Sequence, residues 1–188
     1  MLTVQVIICS TRPGRIGPAI GAWMAEQARA HAQFSVELVD LADYKLPVYD
    51  EPNHPRTGKY EHEHTKRWSQ TVQRANAFVF VTPEYNFSTP ASLLNALTYL
   101  YAEWVYKPVG FASYGGVSGG LRSVQMTKQV VTTLKMVPMQ DAVTLTAASK
   151  QIDKATNTFA ATEANDKAAQ AMLDELHRWA TALQPMRG

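Results

Sequence analysis

Apolar and polar positions change period repeatedly along the chain, and each change marks an element. Val4, Val6, Ile7 and Ile8 form a short β-branched run, the pattern of a strand buried on both faces of a parallel sheet. From Ile16 the spacing turns helical, with Ile16, Ile20, Trp23 and Met24 on one face, so a strand leads directly into a helix across residues 10–15. Residues 34–41 (FSVELVDL) alternate as an edge strand does and carry Asp40 at their close. Pro47, Pro52, Pro55 and Gly58 predict a long irregular connection over 42–59, followed by a polar helix over 60–74 with Trp68 and Val72 inward. AFVFVT at 77–82 is a second buried strand, ended by Pro83. In the loop at 83–90, Ser88 or Thr89 is placed to cap a helix over 91–106, with Pro90 in its first turn. PVGFAS at 108–113 is a third buried strand. A glycine-rich stretch at 114–120, a helix over 121–135, a last strand over 142–145 and an amphipathic helix over 162–183 complete the chain. That last helix places Ala169, Met172, Leu173, Leu176 and Trp179 inward.

Five strands alternating with helices predict one α/β domain over residues 1–188, built on a doubly wound parallel sheet of strand order 2-1-3-4-5. In that order the carboxyl ends of strands 1, 3 and 4 meet at the topological switch point, where open sheets of this kind bind ligands. The helix over 91–106 carries Leu93, Leu97, Leu100 and Trp104 on one stripe and Leu94, Tyr101 and Val105 on a second. A surface that broad exceeds what a one-sided helix buries, and it predicts a homodimer or homotetramer.

The first strand–helix junction has the composition of an anion cradle. Ser10 and Thr11 bring hydroxyls, Arg12 and Arg15 bring charge, and Gly14 and Gly17 allow close backbone approach. The first-turn N–H groups of a helix lack intrahelical partners, and the dipole there favours negative charge. An ordinary turn capped by Ser10 or Thr11, with both arginines solvated, has the same composition. Arginines at a helix N-terminus oppose the dipole unless an anion is present, which favours phosphate. Neither G-x-x-x-x-G-K-[ST] nor G-x-G-x-x-G occurs here, so the pattern points to a phosphate monoester and to the flavodoxin-like arrangement that holds FMN. Four glycines among residues 114–120 let backbone wrap a flat ligand, as they would also let a loop move.

Composition narrows the classes further. The chain has 188 residues, 46% hydrophobic and 18% charged, with a net charge of +2, no basic block and no aromatic stripe interleaved with Lys or Arg; nucleic acid is therefore not an expected partner. Flavodoxin-type carriers are strongly acidic, so this balance also weighs against a pure carrier. Cys9 is the single cysteine and closes an apolar strand, which excludes an intrachain disulfide and fits a reducing compartment. No apolar run has the length of a membrane span and no signal-peptide pattern opens the chain, so a cytoplasmic protein without membrane partners is expected. Asn86-Phe87-Ser88 is then a chance glycosylation match. His54, His62 and His64 cluster without metal-ligand spacing and are not assigned to a metal.

Ser10-Thr11-Arg12-Pro13-Gly14-Arg15 with Gly17, LPVYDE at 46–51, Thr82-Pro83-Glu84-Tyr85-Asn86 with Pro90 and Asn95, and Lys107-Pro108 with Tyr114-Gly115-Gly116 together resemble the NADPH-dependent FMN reductase family of flavodoxin-like proteins. The resemblance implies that Ser10, Arg12, Arg15, Ile16 and Gly17 hold the FMN phosphate. It implies that Pro83, Glu84, Tyr85 and Asn86, with Ser113, Tyr114, Gly115 and Gly116, hold the isoalloxazine. Gly17 stands where many relatives carry Ser, and Ala91 where Gly often follows the proline. The implied activity is hydride transfer from NADPH or NADH to bound FMN and then to a small electron acceptor: a quinone, azo compound, metal oxyanion or flavin. Such chemistry needs no side-chain acid or base, so no catalytic side chain is assigned. Glu84 is open between a proton donor and an outward ion pair, including one across a dimer. The rival class is a non-catalytic flavodoxin-like electron carrier or redox-sensing interaction module, and a second rival is a domain of this fold that has lost its cofactor.

Overall fold

The computed structural model of the chain describes residues 1–187. Strand β1 (Leu2–Ile8), helix α1 (Gly17–Ala30) and strand β2 (Phe34–Asp40) open the chain, and helix α2 (Glu63–Gln73) follows the long connection. Then come β3 (Ala77–Pro83), α3 (Ala91–Thr98), β4 (Pro108–Gly115) and α4 (Leu121–Thr133). Two short strands, β5 (Val137–Pro138) and β6 (Val143–Thr146), precede a small hairpin of β7 (Ile152–Asp153) and β8 (Thr158–Phe159), and helix α5 (Glu163–Ala182) ends the fold.

The sheet is parallel in order β2-β1-β3-β4-β5, which is the flavodoxin-like topology expected. The fifth position differs in detail, because two segments share it. β5 pairs with the start of β4 through Pro108↔Val137, while β6 pairs with its end through Ala112↔Val143 to Gly115↔Thr146. Pro138 has no N–H to donate and interrupts the ladder, so sequence pattern revealed only the second half. The β7–β8 hairpin was not anticipated; its strands are two residues each, too short for a period to show.

Each central strand sends alternate side chains to two cores. Val4, Val6, Ala77, Val79, Val81 and Ala112 meet α1 and α5, whereas Phe78, Phe80 and Phe111 meet α2, α3 and Trp104. Bulk is thus concentrated on one face. Trp68 of α2 is fully buried there, and its indole donates to the Ala96 carbonyl of α3 at 2.9 Å, which satisfies the one polar atom the ring carries inside. Cys9 lies in the same core with no exposed surface, and burial pushes its thiol well above the usual range.

Several boundaries shift for local reasons. Helix α2 begins at Glu63 because the buried Glu51 carboxylate accepts the backbone N–H groups of Glu61 and His62 at 2.9 and 3.0 Å, holding them extended. Helix α3 ends at Thr98, whose hydroxyl donates back to the Leu94 carbonyl at 2.8 Å, a bond that weakens a helix. Tyr101 and Val105 therefore lie in turns beyond α3, and the second apolar stripe is broken. Pro90 itself is the N-cap of α3, with no side-chain cap, so neither Ser88 nor Thr89 takes that role. Trp179 is 40% exposed, its indole donating to Glu175, and Ala180 takes the inward place. The histidines serve the long connection. His64 bonds Asp50 at 3.0 Å, His62 meets the Asp50 carbonyl at 3.2 Å, and His54 accepts from the Arg56 N–H.

Truncating Trp68 to Ala should lower unfolding free energy by about 3–5 kcal/mol, read by denaturant titration, because it opens a cavity between α2 and α3 and orphans a carbonyl. Lys107 supplies a pH test. Its buried ammonium donates to the Val72 and Gln73 carbonyls at the end of α2, and burial together with the charge of Arg187 brings its pKa down to about 8. The unfolded value is about 10.4. The native state therefore binds fewer protons than the unfolded state between these values, and this group's contribution to stability rises with pH across that window. Wild type should gain on Lys107→Met as pH climbs from 8 to 10, and a constant difference would contradict the assignment.

Candidate functional site

Parallel register brings three strand ends to one level. Ile8 faces Val81, Thr82 faces Ser113 and Pro83 faces Tyr114, so the chain segments after β1, β3 and β4 leave the sheet side by side. Between them lies a cleft of about 420 Å³. Arg12, Arg15 and Ile16 line it from the first segment, Pro83, Glu84 and Tyr85 from the second, and Tyr114, Gly115 and Gly116 from the third.

The other four expected site residues do not line this cleft; they sit beneath or beside it. Ser10 is fully buried, and its hydroxyl accepts from the Tyr114 hydroxyl at 3.0 Å. Gly17 packs on that pair: a Cβ there would stand 2.5 Å from Ser10 Oγ and 2.8 Å from the Tyr114 oxygen. A serine at this position would have to displace one of them. Ser113 is buried and donates to the Gly119 carbonyl at 2.9 Å, folding the glycine-rich stretch back on β4. Asn86 is exposed at the tip of a two-residue turn in which Asn86 and Phe87 both have positive φ (50° and 63°), with Tyr85 and Ser88 exchanging backbone hydrogen bonds of 3.1 and 2.9 Å.

The two arginines of the first segment have different employment. Arg15 is locked to Asp40 at the end of β2 by two parallel bonds of 2.7 and 2.8 Å, and it also donates to the Ser10 carbonyl at 2.6 Å. The bond to Asp40 raises its pKa further, so it stays charged. Arg15 is thus a brace that shapes the turn. Arg12 is exposed, lines the cleft and belongs to no ion pair among the described residues. Helix α1 begins here with neither a side-chain cap nor an acidic residue in its first turn. Ser10 and Thr11 are therefore not its caps, and the helix N-terminus stands open beside an unpaired guanidinium. This donor set fits a phosphate.

Glu84 is spoken for. One carboxylate oxygen accepts from Ser118 Oγ at 2.7 Å and from the Arg122 backbone N–H at 3.0 Å, while the other accepts from Arg122 Nε at 2.8 Å. Burial alone would raise this carboxyl, but the bonds from Ser118 and Arg122 outweigh it and hold it below the usual range. It is ionised, fully hydrogen-bonded and paired within its own chain, which removes the proton-donor reading and the cross-dimer pair. Tyr114 has its hydroxyl pKa raised by burial, so it remains a donor to Ser10.

One wall of the cleft has no local signal in the sequence. Residues 147–150, after β6, complete the cleft, with Ala147 at φ 50° donating to the Gly115 and Gly116 carbonyls at 3.0 and 3.2 Å. The signal was topological, since the end of any strand beside β4 borders the same crevice. A second hollow of about 580 Å³ lies on the other side of Thr11, lined by Leu46, Val48, Tyr49 and Leu94. Asn95 organises it, donating to the Pro47 carbonyl at 2.6 Å and accepting from the Tyr49 N–H at 3.0 Å.

Residues 2–150 match the NADPH-dependent FMN reductase family. An NAD(P)H-dependent FMN reductase of Schizosaccharomyces pombe is 44% identical over 146 residues, which span 76% of this chain and 72% of that protein. A quinone reductase of Pseudomonas putida is 29% identical over 144 residues, spanning 73% of this chain and 74% of the relative. Among solved structures, the flavoenzyme NAD(P)H:acceptor oxidoreductase FerB of Paracoccus denitrificans superposes with a TM-score of 0.74 over 97% of this chain and 98% of its own, at 21% identity. The chain belongs to the NADPH-dependent FMN reductase family and is an NAD(P)H-dependent oxidoreductase that uses FMN.

Proposed function

We propose that the protein binds FMN in the 420 Å³ cleft and uses it to pass hydride from NADPH or NADH to a quinone, azo compound, metal oxyanion or free flavin. The observation that carries this reading is the open N-terminus of α1 beside Arg12, at one end of a cleft walled by backbone from β3 and β4. Arg12, Ile16 and the first N–H groups of α1 hold the phosphate. Arg15, Ser10 and Gly17 hold the shape of that turn from behind. The segments at 83–86 and 113–116 take the ring system, with Tyr114 fixed by Ser10 and Ser113 fixing the glycine-rich return.

When bound, the flavin supplies the redox chemistry, accepting hydride and passing electrons on. The chain's own part is to bind, orient and stabilise negative charge. The backbone N–H of Gly116 is placed at the cleft to do so, whereas those of Glu84 and Tyr85 are bonded to the Tyr114 and Ser88 carbonyls and the ionised Glu84 carboxylate is bonded to Arg122. The exposed side chains of Val48 and Leu94, flanking one groove beside the cleft, support the expectation of a homodimer or homotetramer. The lone, buried Cys9 supports a cytoplasmic setting.

Arg12→Ala should weaken FMN by roughly ten- to a hundred-fold, the loss of one charge-assisted hydrogen bond, with little change for riboflavin, which lacks the phosphate. Flavin-fluorescence titration of both ligands reads the contrast directly; equal weakening of the two would place the phosphate elsewhere. Steady-state assays with NADPH and a quinone should give parallel double-reciprocal lines, because nicotinamide and acceptor meet the same flavin face in turn. Intersecting lines would require separate sites for the two substrates.

A further inference from the structure

Register fixes the roots of the segments that wall the cleft, but it does not fix their tips. Beyond the Pro83↔Tyr114 pair and the Glu84 N–H bond to the Tyr114 carbonyl at 3.0 Å, the segments after β3 and β4 diverge. One carboxylate rejoins them. The Glu84 side chain, 7% exposed, reaches across to Ser118 and to both the backbone N–H and the guanidinium of Arg122, in the first turn of α4. The same guanidinium lies 3.6 Å from the centre of the Phe87 ring, at the tip of the turn after β3. Phe87 has φ 63° and is 67% exposed, a conformation an aromatic residue holds only where its surroundings impose it. Arg122 therefore touches the second segment twice, at its base through Glu84 and at its tip through Phe87, while its own root belongs to the third.

We propose that Arg122 is a positioning residue of the flavin site: it sets the distance between the two segments that clasp the ring system before the flavin arrives. The inference rests on the flavin reading above. Arg122 does not line the cleft, so it acts through Glu84 and Phe87. The fold does not depend on it for strand pairing, which the backbone bonds of β3 and β4 supply. Removal of its guanidinium takes the protein donor from one Glu84 oxygen, but Ser118 Oγ and the residue-122 backbone N–H still donate to the other, and the half-exposed place of the guanidinium opens to water. What is lost is preorganisation: the clasping arrangement becomes one of several the tips can adopt, and apparent affinity falls by the fraction of time they spend in it.

The test is titration of FMN and riboflavin into flavin-free wild type, Arg122→Ala, Arg122→Lys, Glu84→Gln and the double variant, with thermal melting of each flavin-free protein alongside. Arg122→Ala should weaken FMN and riboflavin by the same factor, about tenfold, because the ring system is common to both. Its flavin-free melting temperature should stay close to wild type. Arg122→Lys should be intermediate, since an ammonium keeps the charge but not the planar fork or the stack on Phe87. The double variant should be no weaker than the worse single one, the signature of two residues in one linkage. Wild-type affinity for both flavins in Arg122→Ala and Arg122→Lys would overturn the inference, as would weakening of FMN alone or a lowered melting temperature with affinity unchanged. Wild-type protein that binds neither flavin would overturn the flavin reading itself, and this inference with it.

Discussion

The buried hydrogen bond from the Tyr114 hydroxyl to Ser10 Oγ is the contact on which the site depends. It joins the end of β4 to the turn after β1 across the width of β3, so the first and third walls of the cleft are tied directly to each other. Gly17 makes it possible by leaving no Cβ where the two oxygens meet, and Arg15 secures its other side by tying the Ser10 carbonyl to Asp40 on β2. From that single point the turn after β1 is anchored to β2 on one side and to β4 on the other. Arg12 and the open end of α1 are left as the parts of the turn that still face the cleft.

This division of labour explains why two arginines three residues apart do different things. Both oppose the helix dipole, and only one is neutralised within the chain. Asp40 takes Arg15 in a bidentate pair with side chains about one-fifth exposed, where such geometry is worth more than an open surface pair. A bound phosphate would supply the missing counter-charge for Arg12. The second and third walls follow the same logic of saturation. Glu84 and Ser113 spend their hydrogen-bonding capacity on loop geometry, which leaves backbone groups and the Tyr85 side chain to meet a ligand.

Much of this was legible in sequence, for physical reasons. The central strands announce themselves because burial on both faces demands unbroken apolar runs, and 77–82 and 108–113 were readable at once. The strand order followed from right-handed crossovers, and the convergence of the three ends followed from the order. What stayed hidden depended on partners distant in the chain. Asp40 is 25 residues from Arg15, and Tyr114 is 104 from Ser10, so neither bond leaves a local pattern. Arg122, 38 residues from Glu84, reads in isolation as one more solvated charge on a helix. The break of the helix at Thr98 and the start of α2 at Glu63 were likewise decided by hydrogen bonds rather than by propensity. Ala147, Ala148 and Ser149, which follow a four-residue strand, are too small and too few to show a period.

On this reading one cleft, made by the ends of β1, β3 and β4, holds the flavin. A crystal structure of the protein with FMN tests it most directly. The phosphate should lie at the first turn of α1, within hydrogen-bonding distance of Arg12, and the ring system between the segments at 83–86 and 113–116. Flavin found instead in the hollow beside Leu46 and Leu94, with the α1 N-terminus unengaged, would contradict it.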